Sequence, residues 1–292
     1  MKKYVVAWIL TLALLFSVVG VASAITDGEL DGDDHPHVVL LLMDIEGSAK
    51  YRCSATMLTP TVVLTAGHCT SNYPYLDSDG NYEGDYTGMR IFTESDVDAG
   101  LENGTNTYPT CDGGNCIEAF EWYAHPLYET DDPFYMHDVG IVILEEPYDP
   151  GVFGKLPEEA DQFDNLPWPS GRRDKTWFTS VGYGRQAIFS DEEQWHLESV
   201  RVRMVANPFL LQLNVPGITG DYSLLLSNNH ATGGTCFGDS GGPNFLGKED
   251  DETNIVAGVT SFGMNQNCAG TGGVFRMDRK DVLDFVEPFL EE

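Results

Sequence analysis

The chain has 292 residues, enough for one large domain or two modest ones with a substantial core. Its 46 acidic residues against 16 basic ones give a formal charge of -30. Such a polyanion repels nucleic acid and anionic membrane surfaces, and it reads as a solvated, aggregation-resistant exterior.

At the N-terminus, Lys2 and Lys3 precede a largely apolar run from Val5 to Val21, and Ala22-Ser23-Ala24 follows with the small residues that signal peptidase accepts. Residues 1–24 therefore read as an export signal rather than a retained membrane anchor, and the mature chain is expected to begin at Ile25. No second apolar stretch of spanning length follows, so the product is expected to be soluble and secreted, extracellular or periplasmic if the source has an outer membrane. Six cysteines in an exported chain read as disulfides, although spacing alone does not choose their pairing.

Beyond Ile25 there is no internal repeat. Short apolar or β-branched runs bounded by Gly, Pro, Asn and Asp predict strands at His37–Met43, Thr61–Thr65, Val139–Leu144, Trp177–Val181, Ser199–Val205 and Ile255–Phe262. Between the second and third of these, residues 73–114 turn polar, Gly-rich and acidic, and predict an extended loop. Within it Asp77, Asp79, Asn81, Glu83 and Asp85 alternate as hard oxygen ligands for Ca²⁺ would. The run lacks the full EF-hand pattern, so structural calcium is a weak expectation and no cofactor is required. One helix is predicted at the C-terminus, starting near Asp278, where Val282, Phe285, Val286 and Phe289 recur at helical spacing. The class is all-β, as antiparallel sandwiches or barrels.

Chemistry concentrates in three places. Gly238-Asp239-Ser240-Gly241-Gly242-Pro243 offers Ser240 as a nucleophile between glycines that permit a sharp turn, with amides at Gly238 and Ser240 able to hold an oxyanion. A serine needs a base, and Thr65-Ala66-Gly67-His68-Cys69 supplies His68 among small residues. Asp138 stands before the apolar run Val139–Leu144, where a buried carboxylate needs a partner. The serine segment also fits the G-x-S-x-G elbow of α/β-hydrolases, but that fold takes its histidine after the serine, whereas all seven histidines here precede Ser240.

The three motifs, in this order, resemble those of the trypsin/chymotrypsin family across nearly all of residues 25–292. The resemblance implies two antiparallel six-stranded β-barrels packed face to face with a C-terminal α-helix, the first over about 25–150 and the second over about 151–292. It implies a triad of His68, Asp138 and Ser240, an oxyanion hole at Gly238 and Ser240, and disulfides Cys53–Cys69 and Cys236–Cys268, which leaves Cys111 and Cys116 as a pair by elimination. Ile25-Thr26-Asp27-Gly28 resembles the family's activated N-terminus, although Thr26 and Asp27 depart from its usual residues, and implies an activation pair between the Ile25 ammonium and Asp239. Gly234 stands where trypsin-like members carry an acidic pocket base. With Thr235, Gly263 and Gly273 it implies a roomy, uncharged pocket for apolar or aromatic side chains. Ser261-Phe262-Gly263 resembles the stretch that pairs with substrate backbone, with Phe262 replacing the more usual Trp. The expected activity is that of a secreted, monomeric serine endopeptidase acting on proteins or peptides. An ester hydrolase and a non-catalytic binding module are the alternatives.

Overall fold

The computed structural model describes residues 25–71, 84–128, 136–167, 175–186, 200–216, 219–265 and 267–291. Six strands close into an antiparallel barrel in the order β2-β3-β4-β7-β6-β5: β2 (Val38–Ile45), β3 (Ser48–Met57), β4 (Val62–Thr65), β5 (Tyr86–Phe92), β6 (Cys116–Ala124) and β7 (Gly140–Leu144). The remaining strands are β1 (Glu29–Leu30), β8 (Phe178–Gly182), β9 (Met204–Ala206), β10 (Leu210–Val215), β11 (Gly220–Asn228), β12 (Pro243–Leu246), β13 (Val256–Gly263) and β14 (Gly270–Arg276). They form one curled sheet in the order β1-β9-β8-β12-β13-β14-β11-β10, a half-barrel rather than a closed ring. Three short α-helices, α1 (Gly67–Thr70), α2 (Val97–Asn103) and α3 (Lys280–Val286), the last continued by a 3₁₀ turn, and a separate 3₁₀ turn at Glu249–Asp251 complete the described elements.

The sequence of β2, VVLLLMDI, is apolar almost throughout because both of its faces are covered. Val39, Leu41, Met43 and Ile45 point into the closed barrel. The alternate residues Val38, Leu40 and Leu42 join a second cluster with Val181, Phe245, Val259 and Phe275 of the half-barrel. One strand thus serves two cores, and each such side chain contributes on the order of 1.5–3 kcal/mol when fully buried.

Five of the expected strands appear within a residue or two of their predicted limits. The sixth, expected over 199–205, starts only at Met204, and Ser199 lies outside the described residues. The cause is that the backbone of 201–203 bonds elsewhere: Val97 N–H donates to the Arg201 carbonyl (2.9 Å) and Arg203 N–H to the Ser95 carbonyl (2.6 Å). Residues 73–114 are not one extended loop, because they contain barrel strand β5 and helix α2, whose Asp96 side chain caps the Ala99 amide (2.8 Å). The expected first barrel also begins later than residue 25, since β1 pairs with β9 of the other sheet, Glu29 opposite Val205. Helix α3 starts two residues after Asp278 because that carboxylate instead accepts from Phe163 N–H (2.7 Å) and from buried Arg276 (2.7 and 2.8 Å).

Candidate active site

Strand β4 delivers the chain into α1, a single turn entered through the small residues Ala66 and Gly67, which bring His68 against the start of β7. A Cβ on Gly67 would meet the backbone amide of Val139 at 3.1 Å, so this close approach depends on the missing side chain. On the facing segment, His137 adopts φ 56° and its ring pairs with Asp281 of α3 at 3.2 Å. This turn aims Asp138 inward, where it has no solvent exposure.

Asp138 receives a full set of donors. His68 gives it both its backbone N–H (Oδ1, 2.8 Å) and its ring Nδ1 (Oδ2, 2.9 Å; Oδ1, 3.1 Å), and the Ser261 hydroxyl donates to Oδ2 at 2.5 Å. A carboxylate facing Nδ1 favours the tautomer with hydrogen there and leaves the Nε2 lone pair for the cleft. The resemblance assigns Ser261 to the stretch that pairs with substrate backbone; in the structure its side chain belongs to the Asp138 cluster. No signal in the sequence announced that hydroxyl.

Ser240 lies in a loop pinned between the two sheets. Ser54 N–H donates to its carbonyl (2.8 Å), Gly241 N–H to the Thr260 carbonyl (2.8 Å), and Thr260 N–H to the Gly242 carbonyl (2.9 Å). Gly241 has φ 77°, and a Cβ there would sit 2.0 Å from Thr65 Oγ1, so only glycine fits. The Ser54 hydroxyl, a group the sequence reading overlooked, donates to the Gly238 carbonyl (3.0 Å) and accepts from Tyr183 N–H (2.8 Å). Arg185 N–H holds the Phe237 carbonyl at 2.9 Å. In a trans peptide the following N–H, that of Gly238, points the opposite way.

His68 and Ser240 line one cleft of about 350 Å³, together with Thr235, Cys236, Phe237, Thr260, Ser261, Phe262, Gly263 and Cys268. Apart from His68, none of these side chains is ionisable, because both cysteines are in a disulfide. Gly234 and Gly273, expected to line the pocket, do not. The Asn228 side chain fills the space beside Gly234, its Cγ 2.3 Å from where a Cβ would stand, and Gly234 N–H instead donates to the Thr26 carbonyl (3.1 Å). The Phe262 ring covers Gly273, its atoms 2.3–2.4 Å from the corresponding Cβ position. Neither glycine therefore leaves open space at its Cβ position.

Disulfides join Cys53 to Cys69, Cys111 to Cys116 and Cys236 to Cys268. Cys53 and Cys69 lie beside His68, but as a disulfide they offer no thiolate for a metal. Asp77, Asp79, Asn81 and Glu83 of the calcium expectation lie outside the described residues, while Asp85 is within them.

Asp239 is fully buried beneath the Ser240 loop. Its carboxylate accepts from Gly184 N–H (2.7 Å) and Cys236 N–H (2.8 Å). Burial nonetheless pushes its pKa up to about 7, against those two bonds and the nearby Arg52 charge. Gly182 and Gly184 make room for it, since a Cβ on either would stand 2.3–2.4 Å from the carboxyl group. The repeated glycine around Tyr183 was the sequence signal for this approach.

A family model described as Trypsin matches residues 29–278. The chain belongs to the trypsin family. Among characterised proteins it is 24% identical over 249 residues to coagulation factor XII of Cavia porcellus, covering 82% of this chain and 36% of that protein. It is 25% identical over 220 residues to glandular kallikrein-10 of Rattus norvegicus, covering 75% of this chain and 73% of that one. This trypsin-family chain thus spans only about a third of its factor XII relative but most of the kallikrein. Among solved structures, HL collagenase shares the fold with a TM-score of 0.64 at 16% identity, covering 92% of this chain and 99% of that chain.

Proposed function

We propose that the chain is a secreted serine endopeptidase that hydrolyses peptide bonds through Ser240, His68 and Asp138 by way of an acyl-enzyme. The observation that carries this reading is Asp138: a fully buried carboxylate with three donors, fixed on Nδ1 of a histidine that shares a cleft with Ser240. His68 takes the Ser240 hydroxyl proton as the oxygen attacks the peptide carbonyl, and the amides of Gly238 and Ser240 receive the oxyanion. Asp138 stabilises the imidazolium. His68 then protonates the leaving amine, and water repeats the cycle to free the acid.

Substrate preference follows from the cleft. With no ionisable side chain in its walls other than His68, it favours an uncharged apolar residue before the scissile bond, and the Phe262 ring over Gly273 limits that residue's depth. Activation follows from Asp239. Signal cleavage after Ala24 would create an ammonium at Ile25, which is fully buried beside Met204 and Ala206, next to the Thr26–Gly234 bridge. That cation would pair with the buried Asp239 carboxylate. Disulfides accord with an oxidising compartment, and among the described residues no helix is long and apolar enough to cross a membrane.

The test is hydrolysis of internally quenched peptides by the chain starting at Ile25. Cleavage of peptides that falls at least about 10⁴-fold in Ser240→Ala supports the proposal. Equal turnover by the variant would remove Ser240 from the reaction, and turnover of esters without peptides would make the protein an esterase.

A further inference from the structure

Two of the seven histidines, His125 and His137, take no part in the proposed reaction, yet both lie against the turn that carries Asp138. Asp138 is the centre of a three-residue turn, closed by Val139 N–H donating to the His137 carbonyl at 2.8 Å. The His125 N–H donates in turn to the Val139 carbonyl at 2.9 Å. The direction in which Asp138 leaves the backbone therefore depends on the residue before it, and His137 has a φ of 56°. Histidine enters this left-handed region more readily than most side chains, but the conformation is sparsely populated and its surroundings must hold it.

Those surroundings come from the half-barrel and the C-terminal helix. Asp281 of α3 places Oδ2 3.2 Å from His137 Nε2, and the same oxygen accepts from the Tyr222 hydroxyl of β11 at 3.0 Å. The Tyr222 ring also packs against that of His137, with centres 5.0 Å apart. The His125 ring stacks on His137 at 4.9 Å, and Phe285, four residues beyond Asp281 on α3, meets His125 edge-on at 5.0 Å. His125 Nδ1 accepts from Leu127 N–H (3.1 Å), which puts its own hydrogen on Nε2, facing the Asp281 carbonyl at 3.4 Å. Burial, and then the neighbouring His137, hold His125 below its ordinary value, so it is an uncharged wall at neutral pH.

Resting on the endopeptidase reading, we propose that His137 is a positioning residue for Asp138: its ring, anchored by Asp281 and Tyr222, locks the turn that presents the carboxylate to His68. The C-terminal helix then belongs to the catalytic apparatus although it lies outside the cleft walls.

The test compares quenched-peptide hydrolysis and the rate of fluorophosphonate labelling in the chain beginning at Ile25 and in its variants, with folding followed by urea unfolding. His137→Gly accepts the left-handed turn freely but has no ring, so it removes the anchor alone. It should lower kcat and the labelling rate together by about tenfold or more, as expected for a displaced catalytic group. KM should stay within about twofold, because nothing that touches substrate is lost. Asp281→Ala should act in the same direction, and the double variant should lose little beyond the worse single one, since both break one link. His137→Asn tolerates the turn and keeps an N–H donor, and should recover much of the loss. In an Asp138→Asn background, where no carboxylate is left to position, His137→Gly should change kcat by less than about twofold. Unchanged kcat in folded His137→Gly and Asp281→Ala, or an equal loss in the Asp138→Asn background, overturns the inference. If His137→Gly does not fold, Asp281→Ala, at a partly exposed position of α3, decides the case. A parent chain that cleaves no peptide and takes no label would overturn the endopeptidase reading instead.

Discussion

Asp239 gives the sharpest thermodynamic prediction. In the chain that still carries residues before Ile25, burial pushes its pKa up to about 7, against an ordinary value of 3.8. Below the ordinary value both the folded and unfolded carboxyl groups are protonated, and no penalty exists. As pH rises from there to about 7, the unfolded group ionises while the folded one holds its proton, so stability falls by about 1.4 kcal/mol per pH unit. The accumulated loss is roughly 4 kcal/mol and is complete just above pH 7. The assay is urea unfolding between pH 4 and 8 of the N-terminally extended chain in a Ser240→Ala background, with and without Asp239→Asn. Because 46 acidic residues also titrate, the quantity to read is the difference between the two curves. Asp239→Asn should flatten the pH dependence by about one proton over this window, and beginning the chain at Ile25 should do likewise, since the new ammonium holds the carboxylate ionised. Parallel curves for the parent and Asp239→Asn would refute the reasoning.

Three other predictions concern the supporting residues. Ser261→Ala removes a hydroxyl from the buried Asp138 carboxylate, and should lower kcat about tenfold with little change in KM, consistent with about 1.5–3 kcal/mol for a hydrogen bond to a charged group; steady-state kinetics checks it. Burial works against charging His35, but its bonds to Asp31 and Glu252 prevail and raise it to about 9. Its contribution, roughly 3 kcal/mol, is therefore fully present below about pH 6.5 and lost as pH climbs through 9, so His35→Gln should destabilise the chain at pH 6 far more than at pH 10 in denaturant titrations. Phe262→Ala should uncover Gly273 and shift preference before the scissile bond towards larger aromatic residues, read from kcat/KM for Trp against Ala substrates.

Much of the fold was legible because its strands are short, apolar and punctuated. β2, β4, β7, β8 and β13 declare themselves by composition. The half-barrel strands β10, β11, β12 and β14 were not anticipated, and the hidden strands of the closed barrel were those with mixed sequences. β3 carries Lys50 and Arg52, β5 sits in a polar stretch, and β6 exposes Phe120, so none alternates cleanly. Their pairing is imposed by closure of the barrel around β2, a non-local constraint no window of sequence contains. At the site, His68 and Ser240 stand out among small residues and glycines, Asp138 stands out by its place before the apolar run Val139–Leu144, and the order of the three motifs ties them together. The hydroxyls of Ser54 and Ser261 do not stand out, since a serine looks alike whether it faces water or a buried carboxylate. The pocket was misjudged where a glycine was read as empty space: Asn228 and Phe262 occupy the room that Gly234 and Gly273 leave.

The central claim is that Ser240 is activated by His68 held on Asp138. A fluorophosphonate probe applied to the chain beginning at Ile25, with the adduct located by mass spectrometry, tests it most directly. The account predicts a single label on Ser240 that is lost in His68→Ala and strongly slowed in Asp138→Asn. A folded protein that takes no label, or takes it equally well without His68, would contradict it.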